Sequence, residues 1–136
     1  MNLLKSDPPC LQAMRGLGED FEVSDELYKL CERYTCSLYG QVEGSDINKL
    51  RFQLFITKSG ASQSLPPCQA SLREHIKRAN YVATIWKKAD KQKIDPPSPT
   101  LHGWVLDETD RYAVKWHDGV IAPPEILQTV VCKRQN

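Results

Sequence analysis

Residues 65–86 constrain this chain more than any other stretch. They begin Leu65-Pro66-Pro67 and then run to Trp86 without another proline or any glycine. Leu72, Ile76, Ala79, Ala83 and Trp86 recur at intervals of three and four, the repeat of one helical face. The spacing predicts a helix from about Pro67 to Ala89, roughly 33 Å long at the standard rise. Glu74 and Arg78 stand four apart in the order that favours an ion pair on a helix. Asp95-Pro-Pro-Ser-Pro99 cannot continue it and reads as a stiff connector.

Shorter elements flank this spine. Pro8 to Gly18 suits a short helix, with Pro9 in its first turn and Gly16 or Gly18 at its exit. Ser24 is a good N-cap, Asp25 and Glu26 complement the helix dipole, and Leu27, Leu30, Cys31, Tyr34 and Leu38 share a face before Gly40 stops the helix. A further helix starts at Ser45 or Asp46, with Ile47, Leu50, Leu54 and Phe55 on one side, and stops near Ser59-Gly60. Beyond the connector, 103–107 and 112–117 alternate as two strands around the turn residues 108–111. Pro123-Pro124-Glu125 opens a closing helix with Ile126, Leu127, Val130 and Val131.

The expected fold class is therefore α+β, mainly α: a helical body with one long central helix, a β-hairpin and a short closing helix. At 136 residues the chain fits one domain, with a helical part over 1–93, the connector over 94–101 and the hairpin plus final helix over 102–136. A lone hairpin is marginal in water, so it must pack on the helices. Trp104 and Trp116 are the expected contacts, with Trp86 completing an aromatic cluster.

No residue pattern points to catalysis or to a metal, and no cofactor is implied. Cys31 and Cys36 are five apart, about 140° on a helix, and cannot easily share an ion. His102 and His117 could face each other across the hairpin, but no second ligand pair supports them. Gly16-Leu-Gly18 lacks the third glycine and preceding strand of a phosphate loop. An odd count of five cysteines and no secretory signal argue against a disulfide framework. No apolar run spans a membrane, and an intracellular location, nuclear or cytoplasmic, is the expectation.

Charge offers the one functional hint. The net charge is +1, but residues 66–95 hold seven basic against three acidic side chains. Arg73, Lys77 and Lys88 can share a helical stripe with Arg78, Lys87 and Lys91 beside it, and Asn80 and Tyr81 interleave with them. Such a face could contact phosphates and reach bases. The alternative is a solvated helix side whose terminal lysines complement the dipole.

Several motifs occur in a recognisable order: Leu17 to Ser24, Glu32 to Gly40, the run 46–55, the 65–86 segment, Pro97-Ser-Pro99 to Gly103-Trp104, and Ala122-Pro-Pro-Glu-Ile-Leu to Cys132-Lys133. Together they resemble the C-terminal region of a set of uncharacterised animal proteins with the marks of mobile-element origin. Longer members carry an upstream segment like a PIN or flap-nuclease core and a downstream Cys-rich tail beginning Cys-x-Cys. Here Arg134 stands where the second cysteine would fall, and no acidic nuclease motif precedes. The resemblance thus implies an accessory domain without nuclease or zinc chemistry. Two functional expectations follow: a non-catalytic domain binding nucleic acid through the basic helix face, or a protein–protein interaction or dimerisation module with no nucleic-acid role.

Overall fold

A computed structural model describes residues 11, 14–41, 44–57, 65–91, 93–117 and 119. Three α-helices lie wholly within them, α1 (Asp25–Leu38), α2 (Ile47–Thr57) and α3 (Gln69–Lys87), and residues 11 and 14–16, in the stretch expected as the first short helix, are also helical. A 3-10 turn (Pro99–Leu101) follows, then strands β1 (Trp104–Leu106) and β2 (Tyr112–Val114). The strands pair antiparallel, with Trp104 opposite Val114 and Leu106 opposite Tyr112. The fold is α+β and mainly α, as the periodicity predicted. The expected closing helix and the prolines at 8–9 lie outside the described residues.

Local chemistry sets the helix ends. Ser24 Oγ accepts the Leu27 amide at the start of α1. At its end Gly40, at φ +89, and Gln41 donate back to the Ser37 and Cys36 carbonyls, a Schellman turn. Asp46 precedes α2 and accepts the Lys49 amide through Oδ1. Three helices meet at Glu32, a buried carboxylate of α1 that accepts the first amide of α2 (Ile47 N, 3.0 Å) and the Gln69 side-chain amide of α3. Asn48 Oδ1 takes the Gln69 backbone amide, and Arg51 donates to the Pro66 carbonyl at 2.6 Å. The prolines that open α3 are therefore held on α2 by polar contacts.

The core consists of Leu27, Cys31, Cys36, Ile47, Leu50, Leu72 and Ile76, with Met14, Leu17, Val23, Tyr28, Leu30 and Leu54 packed against it. Each buried leucine or isoleucine contributes roughly 1.5–3 kcal/mol. One expected core residue is missing: Phe55 is half exposed. It joins Phe52 and Ile56 on the outer side of α2, so that helix is apolar around most of its girth but covered on one side only.

The second half of α3 departs further from the expected pattern. Ala79 is exposed, and Trp86 is 75% exposed rather than part of an aromatic cluster. The side chains turned inward there are Asn80, Tyr81 and Thr84. Asn80, 1% exposed, accepts the Gly18 amide at 2.8 Å and donates to the carbonyls of Asp20 and Phe21. Thr84 also donates to Asp20 O. The loop 16–22 lies on the helix with its own peptide groups facing inward, and only polar side chains can satisfy them. Gly18 sits at φ +85, where a Cβ would fall 2.8 Å from the Ala83 carbonyl carbon. The glycine that resembled a helix terminator is also a point of backbone-to-helix contact.

The hairpin docks on the same half of α3. Tyr81 donates to the Pro97 carbonyl and packs edge-on against Trp104, with Phe21 and His102 completing the cluster. Gly103 lies so close to α3 that a Cβ would meet the Glu74 carbonyl oxygen at 2.6 Å. Arg78 Nη1 donates to Gly103 O and to Lys115 O, spanning the base of both strands. Glu74 pairs not with Arg78, as the spacing suggested, but with Lys77 at 2.8 Å. Trp104 fulfils its expected packing role, whereas Trp116 is 74% exposed and lies 5.8 Å from the Arg78 guanidinium. At the far end, Asp107 Oδ1 accepts from the Thr109 amide and hydroxyl and from the Arg111 amide, closing the turn.

Candidate functional site

The basic side chains of α3 lie along the direction that its sequence indicated, and this direction borders the protein body: Arg73 and Lys87 are exposed, Lys77 and Lys88 half-buried. At about 100° per residue, Arg73, Lys77 and Lys88 share the side that carries Asn80 and Thr84. The Arg73 guanidinium sits over the Tyr28 ring at 5.0 Å, and the Lys88 ammonium over the Phe21 ring at 4.9 Å. Lys77 is engaged by Glu74, and Lys87 by the Arg15 carbonyl and Glu19 Oε1 at 2.7 Å. The Lys87 hydrogen bond and charge hold the Glu19 carboxyl below the usual carboxylate range. Arg78 is clamped beneath the hairpin, and burial lowers its pKa from the ordinary value, countered by Glu74. Lys91 stands exposed in the turn after the helix. Asn80 and Tyr81, expected to interleave with the cations and reach bases, are buried.

The opposite side of α3 borders a furrow. Between α1 and α3 a depression of about 410 Å³ is lined by Tyr34, Leu38, Leu72, His75, Ile76 and neighbouring apolar residues. That volume falls within the roughly 300–1,000 Å³ of ligand-holding clefts. A second depression of about 320 Å³ adjoins it through Pro67, Leu72 and His75 and reaches Ser71, Arg78 and Trp116. His75 lines both, so the two lie side by side along α3 and together make up the furrow. Its rim bears exposed Leu38 and Tyr39 from the end of α1. Among the described residues no carboxylate lines either depression, and Arg78 is the cationic group that does, with the His75 imidazole beside it.

Of the furrow's residues the sequence singles out Arg78, as a phosphate contact; the apolar ones carry no functional expectation. One signal was present: Tyr34 and Leu38 lie on the apolar face of α1, and Leu38 carries that face past the last buried position, Cys36.

Among the described residues, the titratable groups elsewhere are dispersed over the fold. Burial would raise the Cys68 thiol, but hydrogen bonds from Ser71, the amides that open α3 and the charge of Arg51 together bring it below the ordinary value. Burial raises Cys36, with Glu32 and Asp46 adding to the effect. His102 is buried with Nε2 lacking a hydrogen-bond partner, 4.0 Å from Glu22, while His117 Nδ1 lies 3.1 Å from the Gly119 carbonyl. The two histidines are thus used separately and not as a facing pair. No cluster of His, Cys, Asp and Glu able to hold a metal occurs among the described residues. No helix among them is long and apolar enough to cross a membrane.

Comparisons with family models, curated proteins and solved structures returned no match.

Proposed function

We propose that this chain is a non-catalytic protein-binding module whose working surface is the furrow between α1 and α3, extended to Trp116. The observation that carries this reading is the division of α3 into two sides. Its cations are turned onto the Glu19, Phe21 and Tyr28 side of the body, while the apolar furrow is left open. A phosphate-binding face needs cations free of competing partners, whereas Arg73, Lys77, Lys87 and Lys88 each hold one, even where they are exposed; a protein-binding face needs apolar surface with a few polar markers.

A nucleic-acid reading retains one supporting observation. Trp116 lies open beside Arg78, an aromatic and cation pair able to stack an unpaired base. Arg73, Lys77, Lys87, Lys88 and Lys91 would then act as outlying contacts, at the cost of the internal partners that four of them hold.

Selection of a random peptide library against the full chain, run beside anisotropy titrations with single-stranded and duplex DNA at two salt concentrations, tests the choice. The expected result is enriched peptides and no salt-dependent DNA binding. Absence of peptide binders together with a steep salt slope for DNA overturns the proposal.

A further inference from the structure

The partner class follows from the chemistry of the furrow, on the premise that the chain is a protein-binding module. Over its apolar stretch the furrow runs between two helices, α1 and α3, whose backbone groups are already paired within each helix. Neither wall offers a row of amides or carbonyls. An extended segment laid between them would bury its own peptide groups without partners, at roughly 1–3 kcal/mol for each. A helix brings its backbone bonds with it. Only a helical occupant can therefore fill the furrow without that penalty, using apolar residues at i, i+3, i+4 and i+7 as anchors.

Charge narrows the occupant further. The furrow is apolar over the stretch lined by Tyr34, Leu38, Leu72 and Ile76, turns polar at His75 and becomes cationic at Arg78. The hydrogen-bond partners of the Arg78 guanidinium are carbonyl oxygens, which orient its charge without cancelling it. Glu74, the nearby acid on the same helix, is committed to Lys77. A carboxylate on the flank of an incoming helix would meet positive charge there, opposed only in part by Glu74.

A second copy of this chain fits poorly. Among the described residues, the exposed helix face richest in large apolar side chains is Phe52, Phe55 and Ile56 of α2, and α2 carries Lys49 and Arg51 with no acid. Such a pairing would bring cation toward cation.

We propose that the furrow seats an amphipathic helix of a partner protein, its apolar stripe between α1 and α3 and its acidic flank against His75 and Arg78. The probe is the set of peptides recovered from the random library on the full chain, with affinities measured against variants at exposed furrow positions. Ala79→Glu and Leu38→Glu alter rim residues that are not core, so the fold is retained; Ile56→Glu on the outer side of α2 is the control.

The expected peptides combine helix-spaced large apolar residues with Asp or Glu alongside. Their affinity falls at least about tenfold with Ala79→Glu and Leu38→Glu and is unchanged by Ile56→Glu. A peptide in which the acids are replaced by Lys binds more weakly than its parent. Binders that are extended, Pro-rich or basic overturn the inference. So do binders lost only with Ile56→Glu, which leave the protein-binding reading standing and move its site to α2. Selection that succeeds only on a chain carrying Ile126→Glu and Leu127→Glu assigns the furrow to the chain's own residues 123–131 and also overturns the inference. No binders on either chain sinks the inference and the protein-binding reading together.

Discussion

Leu72 and Ile76 in the first half of α3 are buried to much the same degree as Asn80 and Thr84 in the second, yet they do opposite work. The first pair meets the apolar faces of α1 and α2 and is held by removal from water. The second pair meets peptide groups of the loop 16–22 and is held by directed hydrogen bonds. The consequence is a helix whose inward side drifts from apolar to polar along its length. Its outward side gains Ala79 and Trp86, members of the same apolar stripe as Leu72. What an α-helix buries is decided by what lies opposite it, and here a loop lies opposite half of it.

The largest expected effect tests the polar half. Asn80→Ala leaves the Gly18 amide and two carbonyls without their partner, and about 4 kcal/mol of stability should be lost in urea unfolding. A loss below about 1 kcal/mol would mean that the loop is held by something else. Leu72→Ala tests the apolar half, with an expected loss of about 3 kcal/mol from transfer and cavity. Gly18→Ala sits at the junction of loop and helix. It forces a left-handed residue and a contact with the Ala83 backbone, and about 2 kcal/mol is expected. Trp86→Ala, on the same stripe as Leu72, should cost no more than about 0.5 kcal/mol. A loss comparable to Leu72→Ala would erase the contrast between the halves.

The smallest effect lies outside α3, in the turn that closes the hairpin. The Thr109 hydroxyl, followed by the amides of Arg111 and Thr109, holds the Asp107 carboxyl below its ordinary value of 3.8. A depressed folded pKa means the contribution is fully present above the unfolded value and is lost as pH falls through the folded one. The amide signals of Thr109 and Arg111 should therefore titrate with midpoints below 3.8; midpoints at or above it would show the turn is not built on the charged carboxylate.

Much of this architecture was legible. Helix ends at Ser24, Gly40 and Asp46 follow from capping chemistry that acts over a few residues. The hairpin follows from alternation and a turn, and its need for a helical support follows from its size. The site was less legible because its determinants act across the chain. Asn80 looked like a base-reading side chain because nothing local reveals that Gly18, sixty-two residues earlier, will lie against it. The cations of α3 were correctly grouped on a stripe, but a helical wheel gives no outward direction. That direction comes from Tyr28, Phe21 and Glu19, placed by a loop whose course is not periodic. Phe55 was assigned inward on spacing alone, and α2 has apolar residues on both sides.

The orientation of α3 is the claim on which the fold and the proposed function both rest. Acrylamide quenching of three single-tryptophan chains, each keeping one of Trp86, Trp104 and Trp116 and carrying Phe at the other two, tests it directly. Trp86 and Trp116 should be quenched nearly as efficiently as free indole, and Trp104 should be shielded by Tyr81. A Trp86 as protected as Trp104 would place the apolar stripe inward along the whole helix and contradict the account.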